Sequence, residues 1–209
     1  MTILIGQYDS PFVRRVAITL VMYGIPFEHR KWSVWGDADR IGELNPLRRV
    51  PTLVMEDGTL LGESFVIVDA LDDLVGPARA LLPRSGRERL EGLRLSALST
   101  GLADKAVSLL YESLLRSEPS ARWVQRCQAQ IRGTLAALEA ERSVRKTRYW
   151  LGERATHPDI AFACAYRFLC EAHPGVFELD PASALAQAAA RCEELEEFRA
   201  VYQPIVNRL

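Results

Sequence analysis

Four short stretches hold the residue types that could do chemistry, and the first is Ser10-Pro11-Phe12-Val13-Arg14-Arg15-Val16. Serine is a favoured N-cap, and proline suits the first helical position because its missing N–H would have no partner there. A hydroxyl at a helix mouth sits among exposed N–H groups at the positive end of the dipole, and the combination favours an anion. If that anion is a thiolate, the chain activates a sulfur that it does not itself own. No histidine adjoins Ser10 in sequence to activate it as an acyl nucleophile, so the expected role of its hydroxyl is donation.

The second stretch is Val50-Pro51. A proline ahead of a strand cannot donate to a ladder and belongs at an edge or in a turn. In the cis form the backbone of Val50 would face outward, free to pair with an extended peptide; in the trans form the proline merely starts a strand. The third is Glu63-Ser64, again at a helix start: the hydroxyl and first N–H groups suit a carboxylate, and Glu63 suits an ammonium. Together they fit an amino-acid head group, or else simply cap a helix. The fourth, Thr156-His157-Pro158-Asp159, has the spacing of a capping box and reads as a folding determinant rather than a catalytic carboxylate.

The elements that must position these groups divide the chain in two. Thr2–Gly6 reads as a strand, and Val13, Val16, Ala17, Leu20 and Val21 recur at helical spacing until Gly24. Phe27–Trp32 reads as a second strand. Leu53-Val54-Met55 and Thr59-Leu60-Leu61 flank Asp57-Gly58, a signal for a tight hairpin. Glu63 and Ser64 then open a helix through Leu74. Beyond the proline- and glycine-rich stretch from Gly76 to Gly86, β-branched runs give way to Ala, Leu, Arg and Glu, with helices expected over about 86–116, 120–142, 157–172, 181–191 and 193–203. This organisation predicts an α/β domain over residues 1–78, a linker over 79–85 and an all-helical domain over 86–209.

With 209 residues, 48% of them hydrophobic, the chain can bury a substantial core. Its net charge of −1 supplies no field to recruit nucleic acid or an acidic membrane surface. Arg14-Arg15 and Arg48-Arg49 read as solvated pairs balanced by Asp9, Asp37, Asp39 and Glu43. His29 reads as a solvated strand histidine. There is no leader-like or membrane-spanning apolar run, so the expected location is the cytoplasm. Cys127, Cys164, Cys170 and Cys192 form no C-x-x-C pair and share no ligand spacing with His29, His157 or His173, so neither a metal nor a disulfide is expected.

Taken in order, S-P-F-x-x-R-V, N-P-L-x-x-V-P-T-L, D-G-x-x-L-x-E-S and T-x-x-D-I-A resemble the glutathione transferase family over essentially the whole chain, in a cytosolic, serine-using, bacterial-like form. The resemblance implies a thioredoxin-like N-terminal domain followed by an all-helical one. It implies that Ser10 is catalytic, that Val50 pairs by its backbone with the cysteinyl unit of glutathione, and that Pro51 is cis. Glu63 and Ser64 would hold the γ-glutamyl end, Arg49 the glycine carboxylate, and Asp104 would assist the γ-glutamyl ammonium across a homodimer. Phe12, Trp35 and Tyr111 are candidate walls for a second, hydrophobic substrate, each also readable as core. The implied activity is conjugation of the glutathione thiolate to small electrophiles. A glutathione-dependent isomerase or dehalogenase, or a non-catalytic binding or regulatory protein, would share the first half-site.

Overall fold

The computed structural model describes residues 1–205. It divides into two compact units, one formed by Met1–Arg84 with Glu196–Pro204 and the other by Ser85–Leu195 with Ile205.

In the first unit, β1 (Thr2–Ile5) is followed by α1 (Pro11–Tyr23), β2 (Phe27–Arg30), α2 (Ala38–Leu44), β3 (Thr52–Val54), β4 (Leu60–Gly62) and α3 (Ser64–Val75). The sheet order is β2-β1-β3-β4. β1 and β2 run parallel, which requires a crossover, and α1 supplies it. β3 pairs antiparallel with both β1 and β4, with Leu4 opposite Leu53 and Val54 opposite Leu60. This is a thioredoxin-like arrangement.

α1 begins and ends as its sequence dictates. Ser10 is the N-cap and Pro11 the first helical residue. Gly24 closes it in the left-handed conformation at φ 64°, and the N–H of Ile25 returns to the Leu20 carbonyl at 3.0 Å. Val13, Val16, Ala17 and Leu20 are fully buried with Leu4, Ile5, Leu53, Ile67 and Leu71, and each large member contributes about 1.5–3 kcal/mol by leaving water.

Two details depart from the sequence expectation. The reversal around Asp57-Gly58 is not a two-residue turn: it spans Met55–Thr59, where Met55 N–H donates to the Thr59 carbonyl and Thr59 N–H to Asp57 Oδ1, both at 2.9 Å. α2 has no counterpart in the expectation, because Ile41 is its only buried residue and one apolar position sets no period.

The second unit contains α4 (Gly86–Leu115), α5 (Ala121–Ser143), α6 (His157–Ala172) and α7 (Ala184–Glu193). α6 packs against α4 and α7 and is buried on nearly every face. Trp150, Phe162, Tyr166, Leu95, Leu138 and Leu185 form its surrounding core. Asp159 anchors the start of α6: its Oδ2 accepts from the Thr156 N–H at 2.9 Å and hydroxyl at 2.8 Å, and its Oδ1 accepts from Trp150 N–H at 2.9 Å. α7 starts later than position 181 because Ser183 is its cap, accepting from Ala186 N–H at 3.1 Å.

The expectation assigned all of 86–209 to the helical domain, with a last helix over 193–203. The observed α8 is shorter (Glu196–Ala200) and belongs to the first unit. Arg14 accounts for both differences. Its Nη2 donates to the Phe198 carbonyl at 3.0 Å and its Nε to the Val201 carbonyl at 3.3 Å, which claims the carbonyls a longer helix would use. Residues 206–209 of the expected domain lie outside the described residues. Among the described residues, no helix is long and apolar enough to cross a membrane.

Candidate functional site

Ser10 stands half-buried at the start of α1, and its Oγ accepts from Val13 N–H at 3.4 Å. That bond uses a lone pair and leaves the hydroxyl proton to donate elsewhere. The loop that delivers Ser10 is held by Gly6. At φ +125°, Gly6 lies so close to its neighbours that an added Cβ would fall 2.5 Å from Val13 Cγ2 and 2.8 Å from Val50 Cβ. The end of β1, the first turn of α1 and Val50 therefore meet at one point.

The Val50–Pro51 peptide bond is cis. Two buried side chains hold the turn around it: Asn45 Nδ2 donates to the Arg49 carbonyl at 3.1 Å and to Thr52 Oγ1 at 3.0 Å, and Thr52 Oγ1 donates to the same carbonyl at 3.0 Å. Among the described residues, none pairs with the backbone N–H or C=O of Val50. The Arg49 guanidinium reaches Glu63 at 2.8 Å, so these two expected ligand contacts are an ion pair here.

Glu63 precedes α3 at φ 62° and makes no side-chain cap bond. Neither it nor Ser64 fits the bland capping alternative: Ser64 is the first helical residue, buried, and its Oγ accepts from Arg15 Nη1 at 3.3 Å. The start of α3 thus presents its first N–H groups without a side-chain cap. Ser10, Val50-Pro51 and Glu63-Ser64 are brought together through Gly6, the Arg49–Glu63 pair and the Arg15–Ser64 bond.

Two sequence readings need correction. Arg14 and Arg15 are not a solvated pair; each is 1% exposed, Arg14 over the Phe198 ring and Arg15 over the Phe65 ring. Nor is His29 a solvated strand residue. Its ring stacks on Tyr8 with centroids 3.8 Å apart, and its Nε2 donates to the Gly6 carbonyl at 2.7 Å. Burial holds the His29 imidazole below its usual range, against the bond to Gly6, and pushes the Tyr8 phenol up to about 12.

Phe12 lies half-buried in the first turn of α1, and Trp35 stands exposed on the turn before α2. Asp104 and Tyr111 stand on α4, in the second unit, where Asp104 pairs with Lys105 at 2.8 Å. Asn45 and Arg15 are site-building residues to which no role is assigned from the sequence, although both stand inside the motifs quoted above. Among the described residues, no group of three or more His, Cys, Asp or Glu is placed to hold a metal ion. The four cysteines are free thiols.

Known proteins share this architecture. The family model for the glutathione S-transferase N-terminal domain matches residues 4–79, and that for the C-terminal domain matches residues 121–203. The uncharacterized GST-like protein YibF of Escherichia coli (strain K12) is 33% identical over 137 residues, 65% of this chain and 67% of its own length. A glutathione S-transferase of Methylobacterium radiotolerans, solved in complex with glutathione sulfonate, is 30% identical with a TM-score of 0.86, covering 100% of this chain and 99% of that one. A glutathione transferase family member of Pseudomonas fluorescens Pf-5, solved with bound glutathione, is 28% identical with a TM-score of 0.82, over 98% of this chain and 100% of that one. With both domain models matched in order, the chain belongs to the glutathione S-transferase family.

Proposed function

We propose that the protein binds glutathione along Ser10, Val50 and Glu63-Ser64 and transfers its thiolate to small hydrophobic electrophiles. The observation that carries this reading is the Ser10 hydroxyl: its oxygen accepts from Val13 N–H, and its proton remains to be donated at the positive end of α1. In the proposed complex the extended tripeptide pairs with the backbone of Val50. Its γ-glutamyl carboxylate meets Ser64 and the first N–H groups of α3, and its ammonium meets Glu63. Arg49 turns from Glu63 toward the glycine carboxylate.

The magnitudes suffice. A free thiol with a pKa of about 8.5 is only a few per cent ionised at neutral pH, and lowering it by two units takes about 2.7 kcal/mol. A hydrogen bond to the thiolate supplies about 1.5–3 kcal/mol and the helix terminus roughly 0.3–1 kcal/mol. The sulfur of the bound thiolate then forms a bond to an electrophilic carbon and the leaving group departs with its electron pair. Phe12 and Trp35 offer aromatic surface to that second substrate. The roles that the resemblance gives Asp104 and Tyr111, homodimer assembly and a cytoplasmic location belong to the same proposal.

Conjugation of glutathione to a generic aryl halide tests it. Ser10→Ala is expected to lower turnover near pH 6.5 at least about fivefold, by raising the bound thiol's pKa by a unit or more, while loss of the cap lowers stability by about 1 kcal/mol. Unchanged turnover with that same stability loss would make Ser10 a cap and nothing more.

A further inference from the structure

We propose that Arg15 is a positioning residue for the carboxylate of the γ-glutamyl end, an inference that rests on the glutathione reading above. Arg15 is 1% exposed and lies on α1 five residues after Ser10. Its Nη1 donates to Ser64 Oγ at 3.3 Å, and its guanidinium carbon lies 4.5 Å from the centroid of the Phe65 ring. Ser64 and Phe65 are the first two residues of α3. The arginine therefore grips α3 at the end where its N–H groups are exposed.

The bond fixes the direction of the Ser64 hydroxyl. A guanidinium carries only donors, so Ser64 Oγ must accept, and the single hydroxyl proton is left to point away from Arg15. An oxygen polarised by a cation is in turn a stronger donor, because linked hydrogen bonds reinforce one another. The full charge behind it adds to the partial charge of the helix terminus, and burial protects that charge from screening by salt. The Phe65 ring holds the guanidinium plane in place through a cation–π contact. Glu63, the neighbouring acid, is half-exposed and pairs with Arg49, so the two opposite charges at the start of α3 are kept apart. An α-amino acid head group, with its carboxylate beside its ammonium, fits that separation.

A purely structural arginine would not care what the ligand carries, and this sets the test. Dissociation constants are measured by calorimetry for glutathione and for glutathione amidated at its γ-glutamyl α-carboxylate, with wild type, Arg15→Met and Arg15→Gln. The wild type is expected to bind the amide about tenfold more weakly than glutathione. Both variants are expected to bind glutathione about tenfold more weakly than wild type does, and to distinguish the two ligands by less than about threefold. Arg15→Gln keeps a donor and removes the charge, so it carries the comparison if Arg15→Met does not fold. A folded variant that retains the wild-type preference overturns this inference alone. A wild-type chain that binds glutathione in no assay overturns the parent reading and this inference with it.

Discussion

Single residues at the site combine a local rule with a distant partner, and only the first half of that combination is visible in sequence. Ser10-Pro11 announces a capped helix by itself, and the structure places the cap there. Arg14 and Arg15 look like any surface pair until partners 184 and 49 residues away bury them. Asn45 is similar: its partners Arg49 and Thr52 lie close in sequence, but only the turn at Val50-Pro51 gives it something to hold. Gly6 yields a prediction at this scale. Gly6→Ala forces a left-handed alanine against Val13 and Val50, so we expect a loss of at least about 2 kcal/mol in chemical denaturation. Glutathione affinity should fall as well, because Val50 is displaced; an alanine variant with wild-type stability and affinity would show that this contact is slack. His173 yields another. Burial holds its imidazole below the usual range, while its Nε2 donates to the Ala106 carbonyl at 2.9 Å. The unfolded chain therefore takes up this proton first as pH falls, and the fold loses stability from about pH 6.5 downward until the folded form also titrates. Denaturation at pH 7.5 and 5.5 should show that loss, and His173→Gln should reduce it; an equal loss in the variant would assign the effect to His29, whose imidazole is shifted the same way.

Elements are legible where their ends carry punctuation. α1, α3 and α6 appear within a residue or two of the sequence expectation because Ser10, Glu63-Ser64 and Thr156 mark where they begin. α2 escapes notice because it is short and buries one residue, and α8 is misassigned because Arg14 holds the carbonyls of Phe198, within it, and of Val201, just past its end. The start of α6 shows what a cap contributes when buried. Burial raises the Asp159 carboxyl, while the N–H groups of Trp150 and Thr156 and the Thr156 hydroxyl pull the other way. Asp159→Ala would leave two buried N–H groups without an acceptor, so we expect destabilisation of about 3 kcal/mol and a lower melting temperature. Turnover of the molecules that remain folded should be unchanged. A variant that melts like wild type but does not turn over would move Asp159 into the chemistry.

At the scale of the whole molecule, the order of motifs was more informative than any one of them. Each of the four stretches has an ordinary explanation taken singly, and their sequence along one chain pointed to the family that both domain models match. The identity of the second substrate was not legible, because aromatic residues such as Phe12 and Trp35 look the same in sequence whether they line a site or fill a core. The account as a whole rests on a thiol made acidic by Ser10 and the start of α1. Titrating the ultraviolet thiolate absorbance of protein-bound glutathione against pH tests it most directly. The account predicts a midpoint near pH 6.5 in the wild type and at least about one unit higher in Ser10→Ala, whereas a midpoint near 8.5 in both would contradict it.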